Sequence, residues 1–202
     1  MLSLVDRLSN LGHAGFVYGT QAGRADGRAA ATIRPVHPED LAPLGDFFAG
    51  LSAESRYLRF FAPVTPACGL LRLLSGSPAN VDAIVAVADG VIVGHAMAAD
   101  RARATDISVV VADAWQRRGV GAALMRVLIL RAQARGVTSL AMDVLPGNRR
   151  VLAMILGHWP DAAIAHSPDS LDIGIPLPQD QSQRPQPRPA AEQVRPLLSV
   201  GR

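Results

Sequence analysis

Lysine is absent from all 202 residues, and arginine supplies all 20 basic side chains. That absence excludes a nucleotide-binding P-loop, whose lysine must reach the β- and γ-phosphates. A single cysteine, Cys68, cannot form an internal disulfide, so a reducing, cytoplasmic location is expected. Aromatic residues make up 4% of the chain, too few for the stacking platforms of single-strand binders. No apolar run approaches the length of about 18 residues that a membrane span needs. Asp6 and Arg7 interrupt the apolar N-terminal stretch where a signal peptide would need its hydrophobic centre. Neither a nucleic acid nor a membrane is expected as a partner.

What is present is ample material for one packed core: 49% hydrophobic and 18% charged residues. The formal charge of +3 misleads, because residues 31–176 hold 13 Arg against 13 Asp+Glu. All of the excess lies in the two ends, away from any folded face that could grip a polyanion. Residues 1–30, rich in Gly and Ala after residue 13, read as a flexible arm. Residues 177–202 belong to a proline-rich stretch that reads as a disordered tail. A single folded domain is expected between them, over 31–176.

Within it the pattern alternates. Ala31–Val36 reads as a strand, and His37-Pro38-Glu39-Asp40 opens a helix carrying Leu41, Leu44, Phe47 and Phe48 at helical spacing. Two short helices follow from Ser52 and over Pro66–Ser75. Ala83–Val87 and Val91–Ala98 flank Asp89-Gly90, a strong hairpin signal. Ile107–Val111 is a β-branched strand, Gly119–Arg135 a helix closed by Gly136, Thr138–Leu145 a strand, Asn148–Leu156 a helix and Leu171–Ile175 a last strand. This order predicts an α/β domain with a mixed sheet and helices packed on it.

The most informative stretch is Gln116-Arg117-Arg118-Gly119-Val120-Gly121, between the Ile107 strand and the following helix. Glycines let the backbone approach a ligand closely, and the helix start adds unpaired amides and a positive dipole end. A dinucleotide fingerprint is excluded by spacing, since seven residues separate Val111 from Gly119 and Leu124 stands where the third glycine belongs. The segment matches [Q/R]-x-x-G-x-[G/A], the pyrophosphate loop of acyl-CoA enzymes. With the IleSerValValVal strand, the AspAlaTrpGln approach and the later ValLeuProGlyAsnArg segment, the chain resembles the GCN5-related N-acetyltransferase (GNAT) superfamily over roughly 31–175.

The resemblance implies a GNAT-type mixed, mostly antiparallel sheet and acetyl-CoA as co-substrate. It implies that the amides of residues 117–122 (Arg117, Arg118, Gly119, Val120, Gly121 and Ala122), with Gln116, hold the CoA pyrophosphate. Val109 and Val111 would pair with the pantetheine arm, and one of their amides, at Val109, would polarise the thioester carbonyl. The family splays its fourth and fifth strands to admit the thioester, here Ile107–Val111 and Thr138–Leu145. Asn148 matches the family asparagine that borders the pantetheine.

SerAlaGluSerArgTyrLeuArgPhePhe at 52–61 and the Ile107 strand resemble the GNAT domains of bacterial protein-lysine acetyltransferases. The acceptor implied is therefore a protein lysine amine, with a small-molecule amine as the alternative. Those domains carry a glutamate as general base where Asp106 stands here. Aspartate is one methylene shorter, which points to a water relay, while a surface pair of Asp106 with Arg101 or Arg103 is the competing role. No tyrosine follows Asn148 to serve as general acid, and His158 is the nearest substitute. Arg56 and Arg59, three apart on one helix face, fit either an anionic ligand or surface ion pairs. The histidines show no metal spacing, so no metal is expected. Transfer should be direct, in a ternary complex, because no activated nucleophile is visible. The shortened acid and missing tyrosine leave a non-catalytic acyl-CoA sensor as a rival.

Overall fold

The structure is a computed structural model, and it describes residues 21–22, 30–62, 64–76, 79–101 and 104–177. The expected arm over 1–30 falls almost wholly outside the described residues, and the tail does so from residue 178. Among the described residues eight strands form one sheet: β1 (Gln21–Ala22), β2 (Ala31–Pro35), β3 (Val81–Ala88), β4 (Val91–Asp100), β5 (Thr105–Val111), β6 (Ser139–Val144), β7 (Ala163–His166) and β8 (Leu171–Pro176). Their spatial order is β1-β2-β3-β4-β5-β6-β8-β7, and every pair is antiparallel except β5 with β6. The helices are α1 (Leu41–Ala49), α2 (Ala53–Phe60), α3 (Cys68–Leu74), α4 (Val120–Ala134) and α5 (Arg149–His158). None of the described helices is long and apolar enough to cross a membrane.

Strands β3 and β4 are buried along almost their whole length, as expected of strands covered on both faces. On one face α4 packs Val120, Leu124, Leu128 and Ala132 against Ile33, Ile84, Ala96 and Ile107, and α5 adds Ile155. On the other, α1 and α3 pack Leu44, Phe48 and Leu74 against Val85, Met97 and Val110. The hairpin falls at Asp89-Gly90, both with positive φ, as this turn requires.

Two strands lie beyond the sequence reading. All four residues of β7 are exposed, so it has no apolar face to announce it; its backbone pairing with β8 makes it a strand. β1 has only two residues. Cys68 is exposed at the first residue of α3, because the buried side of that short helix is set by Leu74.

The decisive irregularity lies between β5 and β6. Only Thr105 with Leu140 and Asp106 with Ala141 are paired, after which the strands part. The crossover between these parallel neighbours is α4 itself, so the mouth of the gap and the helix start lie at the same end of the sheet.

Candidate active site

The gap opens into a cleft of about 910 Å³. Its walls come from α2 (Glu54, Ser55, Leu58, Arg59), from β5 (Ile107–Val111), and from β6 and the start of α5 (Met142–Val144, Gly147–Val151). The loop before α4 closes one end with Gln116, Arg117, Gly119, Gly121 and Ala122.

Backbone direction on β5 follows from its register with β4. The Ala112 amide donates to Val93 O at 2.9 Å, and Val93 and Ala112 continue the series in which Gly94 faces Val111. Backbone groups alternate sides along a strand, so Val110 and Ser108 point to β4 while Val111 and Val109 point into the gap. Gln116 agrees, since its Nε2 donates to Val111 O from the gap side at 3.2 Å. Val109 and Val111 thus turn backbone groups toward the cleft, with the Val111 carbonyl already held by Gln116.

The loop is held in an unusual conformation. Arg117 (φ 59°) and Gly119 (φ 81°) are both left-handed, and Gly119 is the residue at which α4 begins. Glycine adopts this conformation at little cost. The first α-helical hydrogen bond runs from Ala123 N to Gly119 O, so the amides just before Ala123 have no partner within the helix. Val120 turns its side chain into the core and offers only its backbone. Arg118 leaves the cleft wall and lies over the Trp115 ring, 5.2 Å from its centroid.

Asp113 ties this loop to α2. Its carboxylate accepts from Ser52 N (3.0 Å), Ser52 Oγ (2.8 Å) and Ser55 Oγ (2.8 Å). Burial pushes its pKa up, but the hydrogen bonds from Ser52 and Ser55 outweigh that and hold it below the usual carboxylate range. Gln116 continues the latch by donating to Ser55 Oγ at 3.1 Å. Asn148 lines the cleft and also caps α5, accepting from Val151 N at 3.4 Å. Its expected position and ordinary capping therefore coexist.

The profile of the Acetyltransferase (GNAT) family matches residues 53–157, from α2 through the loop to α5. The chain belongs to this family. No curated protein matches it by sequence. Among solved structures it is similar to the GNAT domain of S. lividans PAT, at TM-score 0.67 and 22% identity over 73% of this chain and 91% of that one. It is also similar to a GNAT superfamily phosphinothricin acetyltransferase from Sinorhizobium meliloti in complex with AcCoA (0.60, 17%, 77% and 92%). A third is PaiA N-acetyltransferase from Thermoplasma acidophilum in complex with coenzyme A (0.57, 13%, 73% and 99%). At these identities the likeness carries the GNAT fold, and the mixed, mostly antiparallel sheet expected from the sequence is the one observed.

Among acid and base candidates the GNAT cleft reorders the sequence reading. Asp106 stands outside the cleft wall and pairs with Arg101, the competing role. Asp143, unremarked in the sequence, lines the cleft on β6. Its carboxyl is raised above its ordinary value by burial, then by Asp172, its direct partner on β8, while Asp106 adds a smaller push. The signal was available: alternation in Ser139–Val144 buries Leu140, Met142 and Val144 and turns Asp143 to the other face. His158 is exposed, bonds the Met154 carbonyl through Nδ1 at 2.8 Å and lies off the cleft wall. Arg56 donates to the carbonyls of Ala49 and Leu51, which serves the chain rather than a ligand. Arg59 lines the cleft. Among the described residues no cluster of side chains is suited to a metal ion.

Proposed function

We propose that this GNAT protein transfers the acetyl group of acetyl-CoA directly to a primary amine. The observation that carries the reading is the coincidence of three features in one cleft: parted strands, outward backbone groups at Val109 and Val111, and the unpaired amides of the Gly119 loop. Parting leaves room for a pantetheine arm to lie along β5 as an added strand would. The loop amides suit a pyrophosphate, helped by the dipole of α4 and by Arg117. Gln116 and Asn148 border the arm from either side.

In this reading the amine nitrogen attacks the thioester carbon, and negative charge grows on the carbonyl oxygen. The Val109 amide is the donor aimed at that oxygen, an oxyanion-type stabilisation. The C–S bond then breaks and CoA leaves as thiolate. The amine must first be neutral, since an alkylamine is mostly protonated at pH 7. Asp143 is the proton acceptor that the geometry favours, directly or through one water, in place of Asp106. The thiolate takes its proton from solvent or from the proton just removed. No covalent acyl-enzyme is needed, and Cys68 lies outside the cleft.

For the acceptor, the likeness of 52–61 and the Ile107 strand to protein-lysine acetyltransferase domains supports a protein lysine. The charge of Arg59 favours a second reading, a small amine with an anionic group. The test is thiol release from acetyl-CoA with a panel of peptides and small amines, run beside calorimetry with CoA. Turnover with at least one amine is expected. CoA binding without turnover on any of them would overturn the enzyme reading in favour of a sensor, and loss of CoA binding in Gly119→Trp is the check on the loop.

A further inference from the structure

Arg59 and Asp143 mark the two ends of a row that crosses three strands. Met97 of β4 faces Ser108 of β5, while Asp106 of β5 faces Ala141 of β6, so a step of two residues brings Ser108 level with Asp143. Directly opposed and alternate residues share a face, which places Met97, Ser108 and Asp143 side by side on the face that carries α2. With neighbouring strands about 4.8 Å apart and β5 and β6 parted, the ends of the row are at least about 10 Å apart at the backbone.

Arg59 occupies the β4 end. Its Nη2 lies 3.4 Å from Met97 Sδ and its Cζ is 4.9 Å from the centre of the Phe60 ring. Its Nε is sealed from solvent and has no hydrogen-bond partner among the described residues. No described carboxylate pairs with it, whereas Arg34, Arg101, Arg131 and Arg135 each have one. Burial lowers its pKa to about 10, so it stays charged at neutral pH. The neighbouring His95 offers no charge in exchange: burial first, then Arg59 itself, drives it down to about 3. A desolvated cation with no counter-charge is costly, and a ligand anion would relieve it.

Position along the strand identifies that ligand. The pyrophosphate loop meets β5 at Val111, whose carbonyl Gln116 holds. Ser108 is three residues away, about 10 Å along the strand, at the acyl end. The loop has Arg117 and Arg150 nearby on the cleft wall. Arg59 is therefore left for the acceptor.

We propose that the acceptor is a small amino acid, its carboxylate held by Arg59 and its amine turned toward Ser108 and Asp143. This rests on the acetyltransferase reading and narrows its acceptor class. A capped lysine peptide brings the amine but no carboxylate for Arg59.

The experiment uses the full chain, acetyl-CoA and matched acceptors: amino acids of increasing side-chain length, their carboxamides, their decarboxylated amines and a capped lysine peptide. The free amino acid of each set should exceed its carboxamide by about 10- to 100-fold in kcat/KM, the range for a charge-assisted hydrogen bond. Arg59→Gln should reduce that ratio to within about threefold while leaving the KM for acetyl-CoA unchanged, and Arg59→Lys should restore part of it. Arg59→Gln removes no ion pair, only the contacts with Met97 and Phe60, so its melting temperature should fall by no more than about 2–4 °C. Equal use of carboxamide and amino acid, better use of the lysine peptide, or an equal loss on both members of a pair in Arg59→Gln would overturn the proposal alone. Absence of turnover with every amine would overturn it together with the reading beneath it.

Discussion

Replacing Asp113 by Ala tests whether the latch between α2 and the loop matters. The carboxylate accepts three hydrogen bonds from Ser52 and Ser55. Hydrogen bonds to a charged group are worth about 1.5–3 kcal/mol when shielded from water. Asp113 and Ser52 are exposed, so water replaces most of two of them, while Ser55 is only 7% exposed and loses its acceptor outright. The expected cost is about 2 kcal/mol, which for a domain of this size lowers the melting temperature by about 4–8 °C. The native pKa of Asp113 is lowered, so its contribution is present above the ordinary carboxylate pKa and is lost as pH falls through the native one. Calorimetric melts should therefore show the full gap at pH 7 and a shrinking gap below about pH 4. Because Gln116 loses its anchored partner, CoA affinity should also weaken several-fold by titration calorimetry. A change under about 1 °C at pH 7 with unchanged CoA affinity would refute the latch.

Gly119→Val must hold a β-branched residue at φ 81°, a strain of about 1–3 kcal/mol; CoA affinity should drop at least about tenfold, with the far-UV circular dichroism spectrum unchanged. Asp143→Asn should lower kcat by about 100-fold or more. The wild-type kcat/KM should rise with pH through a pKa above the ordinary carboxylate value, and the variant should lack that limb. A larger loss in Asp106→Asn would return the base to Asp106. Asp82 joins β3 to α4 through Arg131 and Arg135. Burial raises its pKa, but the two guanidiniums outweigh that and leave it lowered. Asp82→Asn should cost about 1–3 kcal/mol at pH 7, with chemical denaturation showing the gap close as pH falls through the native pKa.

Elements with a strong local cause were legible. The hairpin at Asp89-Gly90, the helix from Gly119 to its glycine stop and the strand IleSerValValVal each carry their own signal in composition or turn chemistry. β7 was not legible, because its four exposed residues have no buried face and its partner β8 supplies the pairing. The loop residues were legible for the same local reason, as helix starts and left-handed glycines leave a mark in the chain. Asp106 was singled out by its position along β5, and position along one strand says nothing of what β6 brings to the other side of the gap.

Local chemistry thus determined the class of this protein: a lysine-free, charge-balanced α/β domain whose glycine loop opens a helix after a β-branched strand. Backbone propensity and turn geometry act over a few residues, and a few residues suffice to write them. The distribution of charge in the cleft was decided only by tertiary structure. Asp106 pairs with Arg101 where β5 and β6 are still joined, register sets Ser108 level with Asp143, and burial on α2 leaves Arg59 without a counter-charge. Each depends on groups brought together across strands that are distant in the chain, where desolvation and Coulomb interaction have no local sequence pattern.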